Sequence, residues 1–224
     1  MRKHVIRLAT AILTFCLGTA IAYLPAWFSQ TTDSPLLPYS VLEGNRVRIY
    51  PYRATFEIPE DWTTPGLRSA KNLYLSRREL SELYWNNGAD VEDAQVINAV
   101  LPFENCAAHF GDKDWGNYFW NDLQGRVYVV ELTPAQLAEA IETNGLAEAS
   151  SVFEGASLSF GSFGAWRKLS IEIMDAPTHF ILMKRLDFYH QSFGDKTVVF
   201  VFLHAGGFDP TIEQILNSFD GRAR

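Results

Sequence analysis

The sequence predicts an α+β domain, a single antiparallel sheet with helices on both faces, preceded by an N-terminal apolar helix. Three observations predict it. Lys196 to Phe219, KTVVFVFLHAGGFDPTIEQILNSF, reads as a strand, a glycine turn and an amphipathic helix. Before it, consecutive strand-like runs are joined by connections too short for anything but antiparallel pairing. And the run from Leu8 to Phe28 carries no charge at all, which is long enough to cross a bilayer as a helix.

Taken in order, the chain opens on the basic MRKHVIR, followed by that apolar run. Two readings stay open for residues 1–28. Ala20, Ile21 and Ala22 form a signal-peptidase pattern with cleavage after Ala22, whereas continuation to Trp27 and Phe28 suits a retained single-pass anchor with an interfacial aromatic end. Both put the basic end in the cytoplasm and the rest of the chain outside, the extracytoplasmic side of a bacterial membrane. Residues 29–44, with SQTTDSPLLPYS, read as a tether, and residues 45–224 as the globular domain. The chain has a formal charge of −7 and 47% hydrophobic residues. The leader holds Arg2, Lys3 and Arg7 and no acid, so the domain is more acidic still, which argues against nucleic acid and anionic membrane surfaces as partners.

Within the domain, Arg46 to Tyr52 and Ala54 to Ile58 read as short strands, ended by Pro59 and followed by Trp62, which can fold back onto the core. Leu75 to Asn87 carries a helix start, with Ser76 as cap, Glu79 closing a capping box and Leu75 and Leu80 as a hydrophobic staple. Gln95 to Leu101 has apolar residues that suit a strand slightly better than a helix. Arg126 to Leu132 is a clearer strand, and Thr133, Pro134 and Gln136 then begin a helix that Gly145 is expected to stop. The glycine- and serine-rich Gly155 to Gly164 reads as a turn or loop. Trp166 to Met174 alternates apolar and polar residues as a half-buried strand does, and His179 to His190 follows after Asp175, Ala176 and Pro177. Thr197 to Leu203 lacks polar alternation, so both its faces are expected to be covered. Asp209 is expected to cap the last helix, whose stripe is Ile212, Ile215, Leu216 and Phe219.

FEIPEDW at Phe56 to Trp62, the late antiparallel strands, VVFVF and the terminal IEQILNSF together resemble the PsbP-like α/β/α sandwich superfamily. That group includes the extrinsic photosystem II subunit, a yeast Ran-binding nuclear import factor and many bacterial lipoproteins and exported proteins. The resemblance covers Arg46 to Phe219 as an order of elements; Leu101 to Gln124 has no counterpart in it. It implies a helix–sheet–helix sandwich that serves as a binding or assembly module without shared chemistry. No functional residue carries over, because the matching positions are core positions.

Candidate functional residues concentrate in PFENCAAHFGDKDWGNYFWND, Pro102 to Asp122. Its aromatic rings among turn-forming residues suggest either a recognition loop or a loop packed down by its own rings. The partner-binding candidates are Asp112, Asp114, Trp115, Tyr118 and Trp120. Cys106 and His109 would share a face on a helical turn, and a thiol beside an imidazole is the raw material of a nucleophile. Cys106 is the one thiol outside the leader, and as a free cysteine it is expected to be buried. Asp112, Asp114, Asn117 and Asp122 fail the calcium-loop pattern, since Gly116 falls one position early and the last position is not Glu. His179, His190 and His204 near strand ends could converge, although histidines in strands are usually structural. No metal ligands and no cofactor motif are assigned. Three functions follow: a non-catalytic module for an unidentified protein or envelope component, attached to the membrane only through Leu8 to Phe28; a small extracytoplasmic enzyme using Cys106 and His109; or a structural envelope component.

Overall fold

The computed structural model describes residues 38–62, 91–102, 105–111, 123–175 and 182–221. Their strands form two antiparallel sheets. The smaller has the order β1-β2-β3, from Tyr39–Glu43, Arg46–Tyr50 and Ala54–Glu57. The larger contains β4 (Cys106–Gly111), β5 (Gln124–Val130), β6 (Gly155–Phe163), β7 (Trp166–Asp175), β8 (Leu182–Phe193) and β9 (Lys196–His204), in the order β4-β5-β9-β8-β7-β6. The helices are α1 (Val91–Val100), α2 (Pro134–Ala140), α3 (Leu146–Val152) and α4 (Asp209–Asn217), with a π-turn at Ile141–Gly145 joining α2 to α3.

This overturns the expected single sheet with helices on both faces. Helices α1 to α3 cover one face of the large sheet, but the other is packed by the three-stranded sheet together with α4. The reason is the alternation in β2 and β3. Val47, Ile49, Ala54 and Phe56 all point inward, giving a sheet whose inner face buries directly against another sheet. Phe56 stands 5.1 Å from both the Phe110 and the Phe200 ring, and Trp62 does fold back, stacking on Phe110 at 6.2 Å. On the outer face Arg46 and Glu57 pair across the strands at 2.8 Å, an exposed ion pair of small energetic weight. Strand β1, Tyr39–Glu43, occupies the last residues of the segment read as a tether. The expected apolar helix in residues 1–28 and the expected helix over residues 75–87 lie outside the described residues. Among those described, no helix is long and apolar enough to cross a membrane.

Strand β9 lies inside the sheet between β5 and β8. Its side chains divide between two cores: Val198, Phe200 and Phe202 join the core shared with the small sheet, while Val199 and Val201 join the core under α1 to α3. Each buried phenylalanine contributes about 1.5–3 kcal/mol by leaving water. Gly206 and Gly207, both at positive φ, then turn the chain into α4, a conformation that glycine adopts without steric cost. Phe208, not Asp209, occupies the cap position of α4. The helix buries Ile212, Ile215 and Leu216, and its end is stitched to β3 by two Thr55–Asp220 backbone hydrogen bonds of 2.8 Å and by Glu57 N–H donating to Ser218 Oγ at 2.8 Å.

Three further local expectations change. Residues 95–100 belong to helix α1, because Val96, Ile97 and Val100, with Leu101 just past its end, repeat with a helical stripe that the β-branching of Val and Ile does not override. Gly145 does not stop the helix: a Cβ there would lie 2.9 Å from Val100 Cγ2 and 3.2 Å from Ile171 Cδ1, so glycine allows close packing and the chain runs on into α3. Gly155 to Phe163 is strand β6, paired with β7 through the two-residue Gly164–Ala165 turn. The capping box of α2 forms as its sequence requires, with Thr133 accepting from Gln136 N–H and Gln136 accepting from Thr133 N–H.

Candidate functional site

Cys106 and His109 are set on one face by a defect in a strand. Across β4 and β5, Cys106 faces Tyr128 and His109 faces Arg126, with a register shift between Cys106 and Ala108. In a regular strand two residues three apart point to opposite faces, and one extra bulged residue returns them to the same face. The shared face predicted for a helical turn is thus produced by a bulged strand. Cys106 packs in the core under the helices; it is 2% exposed and His109 1% exposed. Cys106 Sγ donates to the Ala108 carbonyl at 3.4 Å. Burial, then the Arg126 charge, holds the His109 imidazole well below its ordinary pKa, so it is neutral at physiological pH. Burial also pushes the neighbouring Tyr128 hydroxyl upward. Arg126 brings positive charge near the thiol, so it is closure that suits an inert Cys106, since a reactive thiol needs access.

At the outer end of the same hairpin, Gln124 and Arg126 of β5, Asp93 and Ile97 of α1, and Val201 and Leu203 of β9 line a small cleft. Asp93 is buried and receives Lys184 Nζ at 3.2 Å. The cleft therefore sets two cationic side chains around one carboxylate on an otherwise acidic chain. Chain geometry links it to the predicted recognition segment: β4 ends at Gly111, opposite Gln124, so residues 112–122 leave from and return to this rim. The candidates Asp112, Asp114, Trp115, Tyr118 and Trp120 themselves lie outside the described residues. Phe110, from the same aromatic run, is a core residue.

The opposite face of the large sheet carries a cluster that sequence reasoning missed. Asp187 of β8 is fully buried. Its Oδ2 receives Lys168 Nζ of β7 at 2.8 Å and His204 Nε2 of β9 at 3.1 Å, while Arg185 stands 3.5 Å from Oδ1. Burial alone would raise the Asp187 pKa, but hydrogen bonds from His204, Lys168 and Ser170 outweigh it and lower the carboxyl to about 2. The Gly206 N–H donates to His204 Nδ1 at 3.0 Å, so Nε2 carries the proton that His204 gives to Asp187. With both ring nitrogens hydrogen-bonded, the His204 ring is held in a fixed orientation. The Asp187 cluster ties three strands together where the chain turns into α4. The available signal was Asp187 as the lone acid of LMKRLDFYH, set between the apolar Leu186 and Phe188.

Of the three strand histidines, the two that are described do not converge. His204 faces the Asp187 cluster, whereas His190 lies opposite Val199 and faces the helix side; His179 is outside the described residues. Burial, then Arg167, lowers His190 to about 4, and among the described residues neither ring nitrogen has a hydrogen-bond partner. No group of three or more His, Cys, Asp or Glu side chains among the described residues could hold a metal ion.

No protein-family model matches the chain, and no curated protein matches it. Among solved structures, a crystal structure from Bacteroides thetaiotaomicron VPI-5482 is similar over 76% of this chain at 12% identity, with a TM-score of 0.36. The match spans 46% of that chain, less than half its length.

Proposed function

We propose that the protein is an extracytoplasmic, non-catalytic binding or assembly module, exported or held by its apolar N-terminal segment, that meets a partner at the Gly111–Gln124 rim of the β4–β5 hairpin. The observation that carries this reading is the burial of Cys106 and His109, the one nucleophile–base pair the sequence offers. Both are committed to the core, whereas Arg126 and Gln124 near the adjacent rim are partly exposed and line a small cleft. The partner is a protein or envelope component. Chemically, Arg126 suits a carboxylate or carbonyl of the partner, and the Trp115, Tyr118 and Trp120 rings, attached to the same rim, would supply the apolar contact.

Two measurements on the full chain test it. In a Cys16→Ser background, Cys106 is expected to resist alkylation until denaturant is added; rapid labelling of the native protein would favour the enzyme reading. A native pull-down is expected to lose its partner when Trp115 and Trp120 are both replaced by Ala. An unchanged partner set would move the site away from this rim.

A further inference from the structure

The two edges of the large sheet are treated differently. Strand β4 forms one edge, and all its residues are buried, in contact with β1 and β2. Strand β6 forms the other, and among the described residues no strand pairs with its outer side. Native edge strands are normally protected by charge, proline, a bulge or brevity. β6 has none of these. GASLSFGSF is nine residues long, has no charge and no proline, and pairs with β7 in nine consecutive register positions without a shift.

Turn geometry fixes which backbone groups are free. Phe163 and Trp166 flank a two-residue turn whose first residue, Gly164, has φ 55°, so they form a hydrogen-bonded pair and the pairs alternate from there. Gly155, Ser157, Ser159, Gly161 and Phe163 bond to β7. Ala156, Leu158, Phe160 and Ser162 therefore direct their N–H and C=O groups outward. Phe160 is also 66% exposed, standing on the helix side of the sheet opposite Leu169.

We propose that β6 pairs antiparallel with β6 of a second copy of this chain, joining the two large sheets into one across a two-fold axis. Self-complementarity selects this occupant. An uncharged strand meets its own copy without like-charge repulsion, although the chain as a whole is acidic. Only registers that pair outward-facing residues satisfy the free groups. Centring on Leu158 sets Phe160 against only the small Ala156 of the partner subunit, and centring on Phe160 sets Leu158 against Ser162 of the partner subunit, whereas centring on Ser159 sets Phe160 against a leucine on both sides of the axis. There Ser159 faces Ser159 of the partner subunit, Leu158 faces Phe160 of the partner subunit, and Ala156 faces Ser162 of the partner subunit. Phe160, the most exposed large apolar side chain of the described residues, is then covered by a leucine on each side of the axis.

The full-length chain in detergent is expected to sediment as a dimer, and Phe160→Lys, at an exposed position where folding is undisturbed, as a monomer with an unchanged circular dichroism spectrum. Register is tested with Ser159→Cys in a Cys16→Ser background. The non-hydrogen-bonded pair at the axis brings Cα atoms to roughly 4.5 Å, within disulfide range, so mild oxidation should yield a covalent dimer, whereas Gly161→Cys, which faces Ser157 of the partner subunit, should not. A monomeric wild type, a Phe160→Lys dimer, equal cross-linking of the two cysteine variants, or a monomer that instead captures an uncharged extended peptide would each overturn the proposal.

Discussion

Acidification should weaken this fold well above the pH at which its carboxylates protonate, and His190 should be a principal cause. The imidazole is 1% exposed and its folded pKa is lowered from 6.5 to about 4. The native state thus favours the neutral ring while the unfolded chain takes up a proton first. Stability from this group is complete above about pH 6.5 and is lost as pH falls toward 4, because in that window the unfolded state binds more protons. At about 1.4 kcal/mol per tenfold change, the loss is roughly 2 kcal/mol by pH 5 and approaches roughly 3 kcal/mol near pH 4. His190→Phe removes the titration and a buried polar group whose nitrogens lack partners among the described residues, so it should be neutral or mildly stabilising at pH 7. Urea unfolding followed by tryptophan fluorescence at pH 7, 6 and 5 measures both proteins. His109 is also held neutral and contributes to the slope in both, which leaves the difference between them to His190. Parallel stability curves for wild type and His190→Phe would refute the reasoning. The measurement stays above pH 4 because the Asp187 contribution, from a carboxyl lowered to about 2, is lost only between about pH 4 and 2.

Asp187→Asn should cost about 3 kcal/mol, since it leaves the mostly buried Lys168 ammonium without its counter-charge; adding Lys168→Met should recover part of the loss in the same denaturation assay, and an additive double variant would argue against coupling. Gly145→Ala should destabilise by about 1–3 kcal/mol through overpacking against Val100 and Ile171, opposite in sign to the roughly 1 kcal/mol gain that alanine brings to an open helix position. A raised melting temperature for Gly145→Ala would show that α1 can give way.

Local chemistry was legible in the sequence wherever it is decided by neighbours along the chain. Thr133, Pro134 and Gln136 build the start of α2 as read, and the unbroken apolar run of β9 correctly implied cover on both sides. The identity of the cover was not legible. Whether a helix or a second sheet closes over Phe200 and Phe202 depends on where Val47, Ile49 and Phe56 go, and those positions alternate like any half-buried strand. Gly145 and the Gly155–Phe163 run misled for a related reason: glycine marks a turn or a close approach, and only the distant Val100, Ile171 and β7 decide between them. The Cys106–His109 pair was placed on one face for the wrong reason, because a bulge has no local signature. Asp187 was overlooked because its partners, Lys168 and His204, lie on other strands and become neighbours only through sheet register.

The double cover of β9 also constrains where this molecule can meet anything else. With helices on one face of the large sheet and a second sheet plus α4 on the other, much of its surface is spent on cores, and contact is left mainly to rims. Among the described residues one edge, β4, is buried by the small sheet, which leaves the edge of β6, unpaired on its outer side, and the Gly111–Gln124 rim of the β4–β5 pair. These two lie towards opposite ends of the strand order, with β9, β8 and β7 between them. A dimer formed through β6 would therefore leave both hairpin rims uncovered, one at each far end of the joined sheet. Pairing through one rim and partner binding through the other are then independent, and a Phe160→Lys monomer should retain whatever partner the Trp115 and Trp120 segment captures.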